Sequence, residues 1–146
     1  MIKVLKSLFE VSRQESEESQ QRNVRLAAAA LLVETARANF ELQPTELKRL
    51  GQLLQSTLEL QDDEVNTLVS HAQERVEEAT SLYEFTKVLN EHFTPDKKIQ
   101  LIRAMWSVAY ADGDIDKYEE HLIRNVSDLL YVPHSDYIHC KLAAQN

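Results

Sequence analysis

The sequence predicts an all-α fold, a bundle of seven or eight helices built from two related three-helix halves. Three observations carry that prediction. Only two glycines and three prolines occur in 146 residues, whereas sheets and barrels need many tight turns. Apolar residues recur at three- and four-residue spacing along most of the chain, and no stretch reads as a convincing strand. Two segments, one in each half, overlay in pattern when the chain is slid along itself. At this length a single domain over residues 1–146 is expected, with a core large enough to need no staples.

The elements follow in order. Residues 2–10 suit a short helix with Ile2, Leu5, Leu8 and Phe9 as an apolar stripe. Residues 12–23, SRQESEESQQRN, are polar throughout and read as an exposed link or a frayed helix start. VRLAAAALLVETARANF, 24–40, is apolar almost all round, the mark of a central buried helix. Pro44 suits the first position of the next helix, which carries Leu47, Leu50, Leu53 and Leu54. Asp62 or Asp63 is expected to cap a third helix through Val65, Leu68, Val69, Ala72 and Val76. Thr80 or Ser81 opens SLYEFTKVLNEHF, and Thr94-Pro95-Asp96 is a cap-plus-proline start for DKKIQLIRAMWSVAYA. Beyond an acidic turn come KYEEHLIRNVSDLLYV and, past Pro133 with Ser135 as cap, DYIHCKLAAQ.

Charge and composition narrow the function classes. Sixteen basic residues against 24 acidic ones leave a net charge of −8. No basic cluster offers the counterion-releasing face of a nucleic-acid binder. Net acidity suits a cation or a basic partner without choosing between them. A single cysteine, Cys140, rules out an intramolecular disulfide and a thiolate metal cluster. The N-terminal amphipathic stretch of about seven residues is too short for a signal segment, and no apolar run approaches the ~20 residues of a membrane span. A cytoplasmic protein is expected. With two glycines, no phosphate loop, nucleophile elbow or dinucleotide fingerprint can be built.

A shift of 73 residues lays Leu26, Ala29, Leu32, Val33 and Ala36 on Ile99, Ile102, Met105, Trp106 and Ala109. Under the same shift Asn39 meets Asp112, Glu41 meets Asp114, Glu46 meets Glu119, and Leu50 and Leu53 meet Ile123 and Val126. A duplicated three-helix unit, roughly 24–72 and 97–144, explains this economically. A pseudo-twofold axis would bring the two interhelical turns near one another.

The turn in the second half, YADGDIDKYEE, has two readings. Gly113 is suited to ending one helix, and Asp116 to capping the next, with Glu119 completing a capping box. That accounts for three residues without a ligand. Asp112 and Asp114 remain, and neighbouring carboxylates repel unless solvated or neutralised, which favours a cation. An EF-hand register fails, because its first and third positions fall on Val108 and Tyr110, which carry no carboxylate. A weaker oxygen-ligand site for Ca²⁺, Mg²⁺ or Mn²⁺ survives, and the lack of nearby His or Cys argues against Zn²⁺. His134, His139 and Cys140 are close in sequence, but the two histidines stand five apart across a helix start, so a solvated helix end is the better reading. His71, His92 and His121 have no partner pattern, Cys140 reads as a small core residue, and Trp106 with Tyr110 reads as core.

The stretch AYADGDIDKYEEHLI, with the helix containing Trp106 before it and DLLYVPHSDY after it, resembles the tellurite-resistance protein B (TerB-like) family over residues 22–144. The resemblance implies an all-α duplicated bundle whose acidic interhelical turn is the proposed divalent-cation site. It also implies a relation to the N-terminal region of a membrane-anchored DnaJ-type co-chaperone. It carries Asp112 and Glu119 over as ligands in the second half and places Asn39 and Glu46 at the matching positions of the first. The expected set is therefore Asp112, Asp114 and Glu119, joined by Glu46 and Glu41. A non-enzymatic module binding a divalent cation, in a metal or tellurite stress role implied by the resemblance, is the leading expectation. The alternative is a protein-interaction domain whose acidic turn is structural. A carboxylate hydrolase would need two carboxylates in a substrate-sized cleft, one with a raised pKa.

Overall fold

Helix α1 runs unbroken over Ile2–Arg37, so the expected short helix, the polar link and the central helix as far as Arg37 are one element, and residues 38–40 of that expected helix lie outside the described residues. The reason is local. The first proline of the chain is Pro44 and the first glycine Gly51, so nothing before them breaks a helix. Residues 12–23 are rich in Glu, Gln and Arg, which favour helix even when exposed. Within that stretch Glu18 precedes Arg22 by four residues, the better orientation for an ion pair on a helix. Polarity there specifies an exposed helix face, and residues 17–23 are indeed exposed.

The computed structural model describes residues 2–37, 44–58, 60–112 and 115–145, with side chains over 17–37, 47–56, 60–111 and 115–145. After α1 come α2 (Pro44–Leu58), α3 (Asp62–Glu78), α4 (Tyr83–His92) and α5 (Pro95–Ala109). A 3₁₀ turn (Tyr110–Asp112), α6 (Lys117–Leu129) and α7 (His134–Gln145) complete the chain. Among the described residues there are seven α-helices and no strand. Pro44 opens α2 as expected. Thr94 caps α5 through its hydroxyl, which accepts from the Lys97 N–H at 3.3 Å.

Three expected starts shift. The cap of α3 is Gln61 rather than Asp62 or Asp63, its N–H donating to Glu64 Oε1 at 3.4 Å. Asp62 instead accepts from Gln55 Nε2 at 2.7 Å, tying α3 back to α2. Leu82 precedes α4, and α7 begins at His134, directly after Pro133, which leaves Ser135 inside the helix. None of these starts uses the short polar residue that capping preference favours, and at Leu82 no side-chain hydrogen bond closes the helix start.

The core is centred on α1 and α5, which pack against one another. Every residue from Ala27 to Val33 is buried, as the all-round apolar pattern requires. Thr35 is buried too, its hydroxyl donating to the Leu31 carbonyl at 2.8 Å. The apolar positions of the two central helices are buried alike. Ala29, Leu32, Val33 and Ala36 are buried, as are Ile102, Met105, Trp106 and Ala109, while Leu26 and Ile99 are both half-buried. Contacts follow suit: α3 lies on α1 as α7 lies on α5, α2 also reaches α5, and α6 also reaches α1. Helix α4 closes the bundle over α1.

The end of α6 is unusual. Val132 N–H donates to the Ser127 carbonyl and Tyr131 N–H to the Asp128 carbonyl, at 3.0 and 3.1 Å. This is a Schellman closure. Its left-handed position, normally glycine, is Tyr131 with φ 60°, and the ring is 81% exposed. A Cβ in that conformation costs about 1–2 kcal/mol. Tyr131→Gly is therefore expected to raise stability by about 0.5–1 kcal/mol, since the relief outweighs glycine's extra unfolded-state entropy. Chemical denaturation of the two proteins side by side checks it.

Candidate metal centre

The acidic turn joins α5 to α6, and both flanks are well built. On the α5 side Trp106 is fully buried. Its ring stacks on Tyr110 at 5.9 Å and meets Tyr137 of α7 at 5.5 Å. The Tyr110 hydroxyl accepts from Gln145 Nε2 at 2.8 Å, so α7 holds the residue that starts the 3₁₀ turn. On the α6 side Asp116 is the N-cap, its carboxylate accepting from the Tyr118 N–H at 2.8 Å. The expected cap is thus present, and Asp116→Ala should cost about 1 kcal/mol, read as a fall in melting temperature.

Glu119 sits one residue further along α6 and is only 1% exposed. It shares the inner face of that helix with Ile123, Val126 and Ser127. A carboxylate so enclosed is costly unless its charge is compensated, which makes it the most informative acid of the turn. Its neighbour Glu120 points elsewhere and accepts from Lys141 Nζ at 2.8 Å. That hydrogen bond, above all, raises the Lys141 pKa, and the same ammonium lies 5.6 Å from the Trp106 ring.

The other expected ligands are placed only in part. Asp112 closes the 3₁₀ turn and Glu46 lies in the first turn of α2, but the side chains of both lie outside the described residues. Asp114, Gly113 and Glu41 lie outside them altogether, as do Asn39 and Phe40. The backbone still carries information. The 3₁₀ turn packs against α2, the helix that begins with Glu46's turn. Arg49 of α2 donates through Nε to Ser107 Oγ at 2.9 Å, near the end of α5. That cross-link, between residues 58 apart, has no signature in the sequence. Among the described residues no group of three His, Cys, Asp or Glu is arranged to hold a metal ion.

The remaining candidates take ordinary roles. His71, His92, His121, His134 and His139 are exposed, and His134 stacks on Tyr137 at 5.7 Å. Cys140 is buried, its thiol directed at the Ile99 carbonyl at 3.6 Å, and burial pushes its pKa up, away from thiolate chemistry. Glu34 on α1 is also raised by burial, opposed by Arg37, but it lines none of the described cavities. A broad groove of about 690 Å³ between α1 and α3 is lined by mixed charges, including Arg22, Arg25, Asp63 and Glu64, and by none of the expected ligands.

The family model described as tellurite resistance protein TerB matches residues 25–142. The chain belongs to the TerB family. No curated protein and no solved structure matches it. The match takes in both the acidic turn and α2 of this TerB-family chain, together with all of α3 to α6. Among its described residues no helix is long and apolar enough to cross a membrane.

Proposed function

We propose that this TerB-family protein is a non-enzymatic cytoplasmic module that binds a divalent cation through the turn between α5 and α6, in a tellurite or metal stress response. Asp112, Asp114 and Glu119 supply the carboxylates, with Glu46 and Glu41 contributed from the first half. The observation that carries the reading is the burial of Glu119 in the first turn of α6, beside a 3₁₀ turn that packs on α2. Carboxylate oxygens without His or Cys suit a hard cation, Ca²⁺, Mg²⁺ or Mn²⁺. The test is calorimetric titration of the three ions into chelator-treated protein beside the double variant Asp112→Asn, Glu119→Gln. Saturable binding that disappears in the variant supports the site, and an absence of heat at millimolar ion refutes it.

A second reading is a protein-interaction domain in which the turn is structural. What favours it is Tyr131, an exposed aromatic held in a strained conformation, in the same short stretch as the partly exposed Leu129. The implied relation to a DnaJ-type co-chaperone region belongs with this reading.

A further inference from the structure

We infer that two adjoining cavities between α2 and α5 form a binding site for a small organic acid with a short apolar chain. The inner one, of about 120 Å³, is floored by Ala28 and Leu32 of α1 and walled by Leu54, Phe93 and Leu101. The outer one is an open groove of about 420 Å³, lined by Arg49, Ser56, Arg103 and Ser107. Leu53, Gln100 and Ala104 line both, so the two adjoin across these residues.

Their chemistry is divided. The inner cavity is lined by apolar residues apart from Lys97 and Gln100. The outer groove carries two guanidinium groups, two hydroxyls and an amide. Among the described residues no carboxylate lines either one, in a chain whose net charge is −8. Arg49 is already oriented, because its Nε is held by Ser107 Oγ at 2.9 Å, leaving its terminal nitrogens for an acceptor. A guanidinium fixed by one hydrogen bond and offering its remaining donors suits a carboxylate. An apolar chamber next to a few convergent polar groups is the usual form of a small-ligand site. The acid head would sit between Arg49 and Arg103, and the chain would enter over Ala104 toward Phe93 and Leu101.

The test uses octanoate, with 1-octanol and acetate as controls, followed by amide and methyl chemical shifts of the whole chain. Octanoate is expected to bind saturably, with the largest shifts at Leu53, Phe93 and Ala104. It should bind at least about tenfold more tightly than octanol or acetate, the scale of a hydrogen-bonded charge. Arg49→Gln with Arg103→Gln changes two exposed side chains and should weaken octanoate by a similar factor, with a fall in melting temperature no larger than the loss of the exposed Arg49–Ser107 hydrogen bond explains. Octanol binding as tightly as octanoate, shifts confined to the groove between α1 and α3, or unchanged affinity in the double variant would each overturn the inference. The comparison of octanoate with octanol on the unaltered protein decides the question even if the variant folds poorly.

Discussion

Trp106→Ala is expected to remove about 3–5 kcal/mol of stability, seen as a fall in melting temperature of roughly 10 °C or more. Among the described residues Trp106 is the largest fully buried side chain. It joins three elements: its own helix α5, the 3₁₀ turn through Tyr110 at 5.9 Å, and α7 through Tyr137 at 5.5 Å. Truncation leaves a cavity that none of these can collapse into without losing its other contacts. Trp106→Phe should be far milder. The indole Nε1–H is buried with no hydrogen-bond partner, so the phenyl ring sheds an unsatisfied donor while keeping most of the apolar area. A clearly smaller loss is expected for Phe, because it leaves a smaller cavity than Ala, and equal losses for Ala and Phe would refute this account of the site. Because Tyr110 leads into Asp112, the Ala variant should also loosen the acidic turn.

The second large effect is a cation-dependent rise in melting temperature. A ligand that binds only the folded state at 100 times its dissociation constant adds about 2.7 kcal/mol. For a chain of this size that is roughly 8 °C. The rise should appear with at least one of Ca²⁺, Mg²⁺ and Mn²⁺ after chelation, and vanish with Glu119→Gln. High monovalent salt serves as the control. It screens exposed charge over about 3 Å at 1 M but cannot coordinate a buried carboxylate as a divalent ion does. A rise reproduced by salt alone would mean relief of surface repulsion. No rise with any ion would leave the turn as a helix stop and a helix start.

Much of this was legible in the residues. The all-round apolar run from Ala27 to Val33 announced a buried helix, and Thr94-Pro95 and Pro44 marked helix starts that the fold adopts. The apolar pattern of each central helix anticipated that Ala29, Leu32, Val33 and Ala36 of α1 and Ile102, Met105, Trp106 and Ala109 of α5 would be buried. The polar stretch 12–23 misled because polarity reports exposure, and an exposed helix is as polar as a loop. Cap positions at Gln61 and Leu82 escaped because neither is a favoured cap by residue type, and at Leu82 no side-chain hydrogen bond closes the helix start. For the site, Asp116 as N-cap was readable from its three-residue spacing to Glu119. The near-complete burial of Glu119 was not, since a first-turn glutamate ordinarily faces water.

The sequence by itself determined the helical class, the central pair of helices and the acidic character of the turn between α5 and α6. These depend on periodicity, on the scarcity of turn residues and on residue type, all of which are local. Tertiary structure alone decided that Arg49 would meet Ser107, that Lys141 would pair with Glu120, that Gln145 would hold Tyr110, and that an apolar chamber would adjoin a cationic groove. Each joins residues distant in the chain and brought together by the packing of whole helices. Such contacts leave no spacing in the sequence, because burial constrains which face of a helix turns inward far more tightly than which partner that face will find.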